Sequence, residues 1–527
     1  MGNLISRARL LIAAIFYLNK TLDVLSKRLK ASPGIPVPNP TRPFWTYPKA
    51  KISSEGKALP QHADIVIIGS GITGTSFAYN VFQRDSSLRV VMLEAREVCS
   101  GATGRNGGHI NPPLYHDYKE LKERHGEAIA KLMIKFRLAH YDEMLIIAKN
   151  EDILEHSQCR PTEQFDVHFT LNALEEAEGD LEVWKSDMPE EASSWKKFGL
   201  SSHAVGCIHG NGGAMHPYRF VTSLLSKLLD RHSDRFFIAT QTPCTDITPP
   251  TPSSQYYTIH TPKGTITTPH VIHATNGWVS HLVPPFREKV IPARGTMSAQ
   301  RPGTSLNASS TKSGDRSFVF YSGSLGYDYL TQLPTGEKEL MFGGGWASAM
   351  DGAIAEIGET DDSKFSYPVA SHLSGSLPLY FGAHHWGREK DAELAEGEEE
   401  GLWDEGRTKA QWSGILGLSA DGLPWVGRLS TKLTGRVQPT AATHTDIHDI
   451  DMHMETNGRT LTAPPGEWIA AGYTGEGMVH AWMSGKALAY MVLDREEEIG
   501  GWFPEILRAT EKRWKKADIV EFISRYF

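Results

Sequence analysis

Cysteine is scarce in this chain, with four residues in 527 (Cys99, Cys159, Cys207 and Cys244) and no CxxC spacing among them. That excludes a disulfide scaffold and a thiolate zinc site, and it points to reduced thiols in the cytoplasm. Long apolar runs are missing too. The uninterrupted run from Leu10 to Leu18 falls short of the roughly 20 residues a helix needs to span a bilayer. Positive charge is not in excess: the net charge is −8, which offers no general attraction to nucleic acid. No stretch has metal-ligand spacing either. His444, Asp446, His448, Asp449, Asp451 and His453 crowd together, but among Thr, Gln and Pro they read as a solvated loop, and no metal is expected. What remains, at 40% apolar residues and a mean hydropathy of −0.33, is the composition of a soluble globular protein. The length suits two closely joined domains with extensions.

The most informative stretch runs from Ala63 to Thr75. Ile65-Val66-Ile67-Ile68 suits a parallel strand buried on both faces. It leads into Gly69-Ser70-Gly71-Ile72-Thr73-Gly74, a Gly-x-Gly-x-x-Gly turn. Gly69 serves the tight turn, Gly71 a close backbone approach to a pyrophosphate, and Gly74 close packing of the next helix. Ser76, Phe77, Ala78, Val81 and Phe82 continue as a helix whose N-terminal N–H groups would face that pyrophosphate. A second apolar run, Val90 to Leu93, ends at Glu94-Ala95, with Glu94 20 residues after Gly74. A carboxylate there accepts hydrogen bonds from an adenosine ribose. Strand, turn, helix and acid together predict a bound dinucleotide.

The next loop, Gly101-Ala102-Thr103-Gly104-Arg105-Asn106-Gly107-Gly108-His109, carries four glycines in its first eight residues. It can lie backbone-first against a large planar cofactor. The pattern resembles the flavin-dependent amine and amino-acid oxidases of the D-amino-acid oxidase and sarcosine oxidase (DAO) family, and is most similar to its γ-glutamylputrescine-oxidase-like branch. The resemblance implies FAD, bound without a covalent link: no cysteine follows Cys244, and the position of the His-linked relatives matches Arg105. It extends from Asp64 to Leu493 through further motifs in the family's order. Backbone near Cys244-Thr245 matches the adenine contact. Val271-Ile272-His273-Ala274-Thr275-Asn276-Gly277 matches the second flavoprotein signature. Gly472-Tyr473-Thr474-Gly475-Glu476-Gly477-Met478 matches the closing turn at the flavin's pyrimidine end, where Glu476 replaces a frequent His.

The expected fold class is α/β, a Rossmann-type FAD-binding domain (GR2-like) interleaved with a mixed-sheet α+β substrate domain. The FAD domain is expected at 63–115, 205–294 and 411–493, with a polar insertion at 428–465, and the substrate domain at 116–204 and 295–410. A Pro-rich linker fills 32–62, where Pro33 to Pro48 holds six prolines in sixteen residues, and a helical tail fills 494–527. Residues 1–31 form a basic helix: Leu4, Ala8, Leu11, Ile15, Leu18, Leu22, Leu25 and Leu29 make a stripe, with Arg7, Arg9, Lys20, Lys27, Arg28 and Lys30 against Asp23 alone. Gly2 fits an N-myristoylation pattern. The stripe has two readings, a membrane surface or packing on the enzyme body or a second subunit.

For chemistry, the resemblance implies oxidation of a C–N bond of an amine or amino acid, with hydride passing to flavin N5 and electrons then going to O₂ or another acceptor. Tyr329, Arg294 and Glu476 are the candidate catalytic residues, with Tyr327 beside them. Arg294 could hold a carboxylate bidentately, and Glu476 could face an amine. The alternative for Arg294 is an interdomain ion pair, and for the tyrosines a core role. Two rival functions remain open at this point: an NAD(P)-dependent dehydrogenase, against which the second glycine-rich loop counts, and a flavin-containing binding or scaffold protein without turnover.

Overall fold

The computed structural model of the chain describes residues 2–526 except 55, 57, 193–195, 199–203, 252–253, 309–313, 322–325, 391–400 and 439–461. Its first layer is a six-stranded sheet in the order Trp425–Arg428, Gly466–Ala471, His270–His273, Ile65–Ile68, Val90–Leu93, Phe236–Ala239. The pairings are parallel except for the edge strand Trp425–Arg428. Alternation along the central strand explains the two layers around it. Ile65 and Ile67 join Phe77, Val81, Val221, Leu224 and Ala487 in a core shared with helices Ile72–Phe82, Pro217–Arg231 and Ala481–Val492. Val66 and Ile68 face the other way, onto Ile247, Tyr257, Ile259 and Ile266 of a three-stranded antiparallel sheet. A strand that must satisfy two cores carries no polar residue, so the run reads as continuous Ile and Val.

The second domain is built on a nine-stranded mixed sheet, in which Thr408–Ser419 and Val290–Gln300 pair along nearly their whole length. Phe320, Leu330, Leu340 and Phe342 of this sheet meet Val369, Leu373 and Leu377 of helix Tyr367–Trp386. That helix leaves no periodic trace in the chain, because Pro378 and Gly382 interrupt it. Two domain boundaries also differ from expectation. Gly206–Ala214 and Thr408–Ser419, expected at the edges of FAD-domain segments, are strands of the nine-stranded sheet. The chain therefore re-enters the FAD layer at helix Pro217–Arg231 and again at strand Trp425–Arg428.

The Pro-rich segment is laid over the body by its rings. Trp45 is fully buried, its indole N–H donates to the Asn106 carbonyl, and its ring stands edge-on to His216. Among the described residues no helix is long and apolar enough to cross a membrane, and no group of three His, Cys, Asp or Glu side chains is placed to hold a metal ion. The His444–His453 stretch lies outside the described residues.

Candidate active site

At the dinucleotide end the glycines are fixed by sterics. A Cβ on Gly74 would lie 2.2 Å from the Gly69 carbonyl oxygen, and one on Gly69, at φ +111°, would lie 2.6 Å from the Ala274 carbonyl oxygen. Helix Ile72–Phe82 starts directly after Gly71, and Thr103 Oγ1 accepts from the Ile72 N–H at 3.0 Å. The glycine-rich loop is thereby tied to the helix N-terminus, where the dipole favours a pyrophosphate. Glu94 is buried and oriented: Ser70 donates to Oε2 from its N–H (3.2 Å) and hydroxyl (2.6 Å), and the Arg96 N–H donates to Oε1 (3.0 Å). Ala95 lies between these two anchors. On its far side the Thr242 N–H donates to the Glu94 carbonyl at 2.8 Å and the Gln241 N–H to that of Arg96 at 2.9 Å. The turn just before Cys244 is what adjoins the acid. Cys244 itself is a buried thiol that burial pushes up to about 12.

Within the glycine-rich loop the glycines divide by role. Gly104, Gly107 and Gly108 are packed against protein, where a Cβ would meet the Cys99 carbonyl oxygen (2.2 Å), the Tyr329 ring (2.9 Å) and the Met215 carbonyl oxygen (2.5 Å). Gly101, beside Ala102, has nothing within 4 Å of where a Cβ would stand, and the same holds for Gly475 in the closing turn. Thr275 Oγ1 and His109 Nε2 are buried with no hydrogen-bond partner among the described residues. Open space beside two glycines and orphaned polar atoms on two matched residues are what a cradle for FAD requires. Asn106 shapes the loop, donating to the Thr103 carbonyl (3.2 Å) and accepting from the Gly108 N–H (2.7 Å). Gly277 lets its strand tip touch the Leu416 carbonyl, where a Cβ would stand 2.4 Å away. Thr73 shares a hydrogen bond of 2.8 Å with Tyr473, which joins the first and last motifs.

The two candidate arginines are engaged elsewhere. Arg105 donates to the carbonyls of Ser100 (2.7 Å), Thr41 (3.0 Å) and Ser413 (2.7 Å), and burial lowers it to about 10. Its side chain clamps the linker to the large sheet rather than facing the cofactor. Arg294 pairs with Glu356 at 2.7 Å and donates to the Asp361 carbonyl at 3.2 Å, a structural ion pair in place of the carboxylate clamp considered from sequence. Asp362 anchors the same seam, accepting from Arg96 at 2.9 and 3.0 Å with Arg105 at 3.6 Å, all three side chains buried. Asp362→Ala strands two buried guanidinium groups and is expected to cost about 3–5 kcal/mol. Thermal unfolding of the variant checks this, and an unchanged Tm would contradict it.

Glu476 precedes the short helical turn Gly477–Val479, with Met478 buried behind it. Its Oε2 lies 3.1 Å from His480 Nε2 and 3.9 Å from the Arg137 guanidinium. Burial raises its pKa, against the pull of Arg137 and His116, yet 30% of the side chain remains open to the space before it. His480 is pushed well below its usual value by burial and is a neutral imidazole. Arg137 is neutralised by a bidentate pair with Asp117, 2.7 Å at both nitrogens. Facing this group, the Tyr321 hydroxyl lies 2.7 Å from His116 Nε2, and a row of rings joins Tyr321 to Tyr327 (5.8 Å), Tyr327 to Tyr329 (6.3 Å) and Tyr329 to His109 (5.3 Å). Burial pushes Tyr329 up to about 12 and His109 down to about 3, so both are neutral. His116, Arg137, Tyr321 and His480 were not singled out from sequence. Only His480, four residues after Glu476 in sequence, carried a readable signal.

The family profile described as "FAD dependent oxidoreductase" (DAO) matches residues 64–491. The chain belongs to the FAD-dependent oxidoreductase family. Its cofactor is FAD, and the NAD(P)-dependent rival falls away. Among its relatives, the chain is 24% identical over 259 residues to the probable oxidoreductase OrdL of Haemophilus influenzae, covering 46% of this chain and 56% of that protein. It is 22% identical over 239 residues to the gamma-glutamylputrescine oxidoreductase of Escherichia coli, covering 42% and 51%. The matched part thus spans about half the length of these relatives. In fold, the crystal structure of glycine oxidase from Geobacillus kaustophilus superposes with a TM-score of 0.56 at 16% identity, covering 86% of this chain and 99% of that one.

Proposed function

We propose that this flavoenzyme oxidises a C–N bond of an amine substrate that lacks a free carboxylate beside the nitrogen, and that electrons leave to O₂ or another acceptor in the cytoplasm. The observation that carries the reading is Glu476, a carboxylate set into the wall between Gly475 and His480 while Arg294, the candidate anion clamp, is tied to Glu356. Bound FAD supplies the two-electron acceptor for the hydrogen leaving the carbon next to nitrogen. Glu476 pairs with the incoming ammonium and takes its proton, which frees the nitrogen lone pair. Burial makes it a stronger base than a surface carboxylate. Tyr321, Tyr327 and Tyr329 orient the substrate and exclude water. His116 fixes the Tyr321 hydroxyl from 2.7 Å.

Gamma-glutamylputrescine oxidoreductase supports an amine by its name, whereas glycine oxidase names an amino acid. Anaerobic stopped-flow reduction of the flavin by primary amines, each compared with its α-carboxylated analogue, separates the two. The expected result is reduction at least about tenfold faster by the amine, since a carboxylate would face Glu476 unpaired. Faster reduction by the amino acid would refute the selectivity.

A further inference from the structure

Helix Gly2–Lys30 is joined to the body mainly near its end. Leu25 and Leu29 are buried there, and Arg28 donates to the carbonyls of Ala355 (2.8 Å) and Ile354 (3.0 Å). Farther up, the Tyr17 hydroxyl donates to Asp351. The apolar run from Leu10 to Leu18 is exposed at every one of its nine positions. Ile12 and Phe16, on the side away from the Leu25 and Leu29 contact, are 67% and 73% exposed, and Leu10, Leu11, Ile15 and Leu18 are each more than half exposed.

Nine residues make about two and a half helical turns, so this run is apolar on all sides of the helix. A protein partner docked along one stripe would leave the opposite side wet. An apolar medium that surrounds the helix would not. At about 1.5 Å per residue the run is far shorter than the roughly 30 Å hydrocarbon core, so it can enter one leaflet and cannot cross. Its ends are basic: exposed Arg7 and Arg9 lie before it, and exposed Lys20, Lys27 and Lys30 after it. Long basic side chains reach outward to phosphate headgroups while their stems stay with the apolar run. The chain as a whole carries −8, so attraction to an anionic surface is local to this helix.

We propose that residues 7–24 form an anchor that enters one leaflet of an anionic lipid surface and docks the enzyme there. Ile12, Phe16 and their neighbours enter the acyl boundary, and Arg9 and Lys20 bind headgroups. This assignment is independent of the substrate proposed above.

The test is flotation of the full-length holoprotein with phosphatidylcholine vesicles, with and without phosphatidylserine. Wild type is expected to float with the anionic vesicles and to bind neutral ones about tenfold or more weakly. The double variant Ile12→Glu/Phe16→Glu should stay at the bottom of the gradient. Its flavin content and Tm should match wild type, because both positions are solvent-exposed. Arg9→Glu/Lys20→Glu should lose only the preference for the anionic vesicles. Wild type that fails to float with either vesicle overturns the proposal, as does flotation undiminished in Ile12→Glu/Phe16→Glu. A dimer that disappears in that variant without flotation of either protein would make the occupant a second copy, and would overturn it equally.

Discussion

Gly74→Ala is expected to purify without flavin. The added Cβ would stand 2.2 Å from the Gly69 carbonyl oxygen and 3.2 Å from Ile67 Cγ2. The oxygen belongs to the backbone of the turn and cannot swing aside as a side-chain tip could. Either helix Ile72–Phe82 lifts from the sheet or the turn opens, and both move the N–H groups that would face the pyrophosphate. Overpacking of this kind costs about 1–3 kcal/mol of stability, and the misplaced helix terminus removes the anion site as well. Gly101→Ala provides the contrast. Gly101 has ordinary backbone angles, φ −80°, and open space at the Cβ position. The apoprotein should melt as wild type does while FAD affinity falls. Visible absorbance after desalting, read beside the Tm of the apoproteins, separates the two effects. A yellow, fully loaded Gly74→Ala protein would contradict the assignment of the turn.

Glu476→Gln should lower kcat/KM for amines by about 100-fold or more, the usual scale for a positioned general base. The shape of the side chain is kept and its charge is lost. The pH dependence gives the sign of the effect. Burial raises the Glu476 pKa, so the active carboxylate appears only as pH rises through a value above the ordinary carboxylate range. The wild-type profile therefore has an acid limb displaced upward, and the Gln variant lacks it. Stability runs the other way. A raised folded-state pKa means the protonated form is favoured by folding, so that contribution is present at low pH and lost as pH rises through the folded value. Above it, wild type carries a poorly solvated charge and Gln does not. The variant should be as stable as wild type or more so, and far less active. A profile and rate unchanged by the substitution would remove Glu476 from the chemistry.

The cofactor half of the site was legible in the sequence because its requirements are local. Gly74 is set by backbone approach to Gly69 within one turn, the Gly-x-Gly-x-x-Gly spacing is contiguous, and Ile65 to Ile68 declares by its unbroken apolar character that both faces are covered. The closing turn around Glu476 was read from its resemblance to the family's motif rather than from local spacing. Beyond Glu476, Tyr327 and Tyr329 the substrate half was not legible, because His116, Arg137 and Tyr321 come from a loop, a helix and a strand whose meeting is set by the nine-stranded sheet. No spacing in the chain records that meeting. Arg294 and Arg105 show the converse limit. An arginine near a predicted site reads as a ligand, but its partners Glu356 and Asp362 lie far along the chain, and Asp362 follows Glu359 and Asp361 in a run that looks merely solvated. The boundaries missed at Gly206–Ala214 and Thr408–Ser419 have the same cause. A strand's own sequence shows which faces it buries, and its pairing partners decide the sheet to which it belongs.

The most direct measurement is an anaerobic titration of the purified protein with a panel of amines, followed at the visible absorption of the flavin. The account predicts a yellow protein whose colour bleaches with at least one amine and returns on admission of an electron acceptor. A protein that stays colourless in excess flavin nucleotide, or a yellow one that no amine or amino acid bleaches, would contradict it.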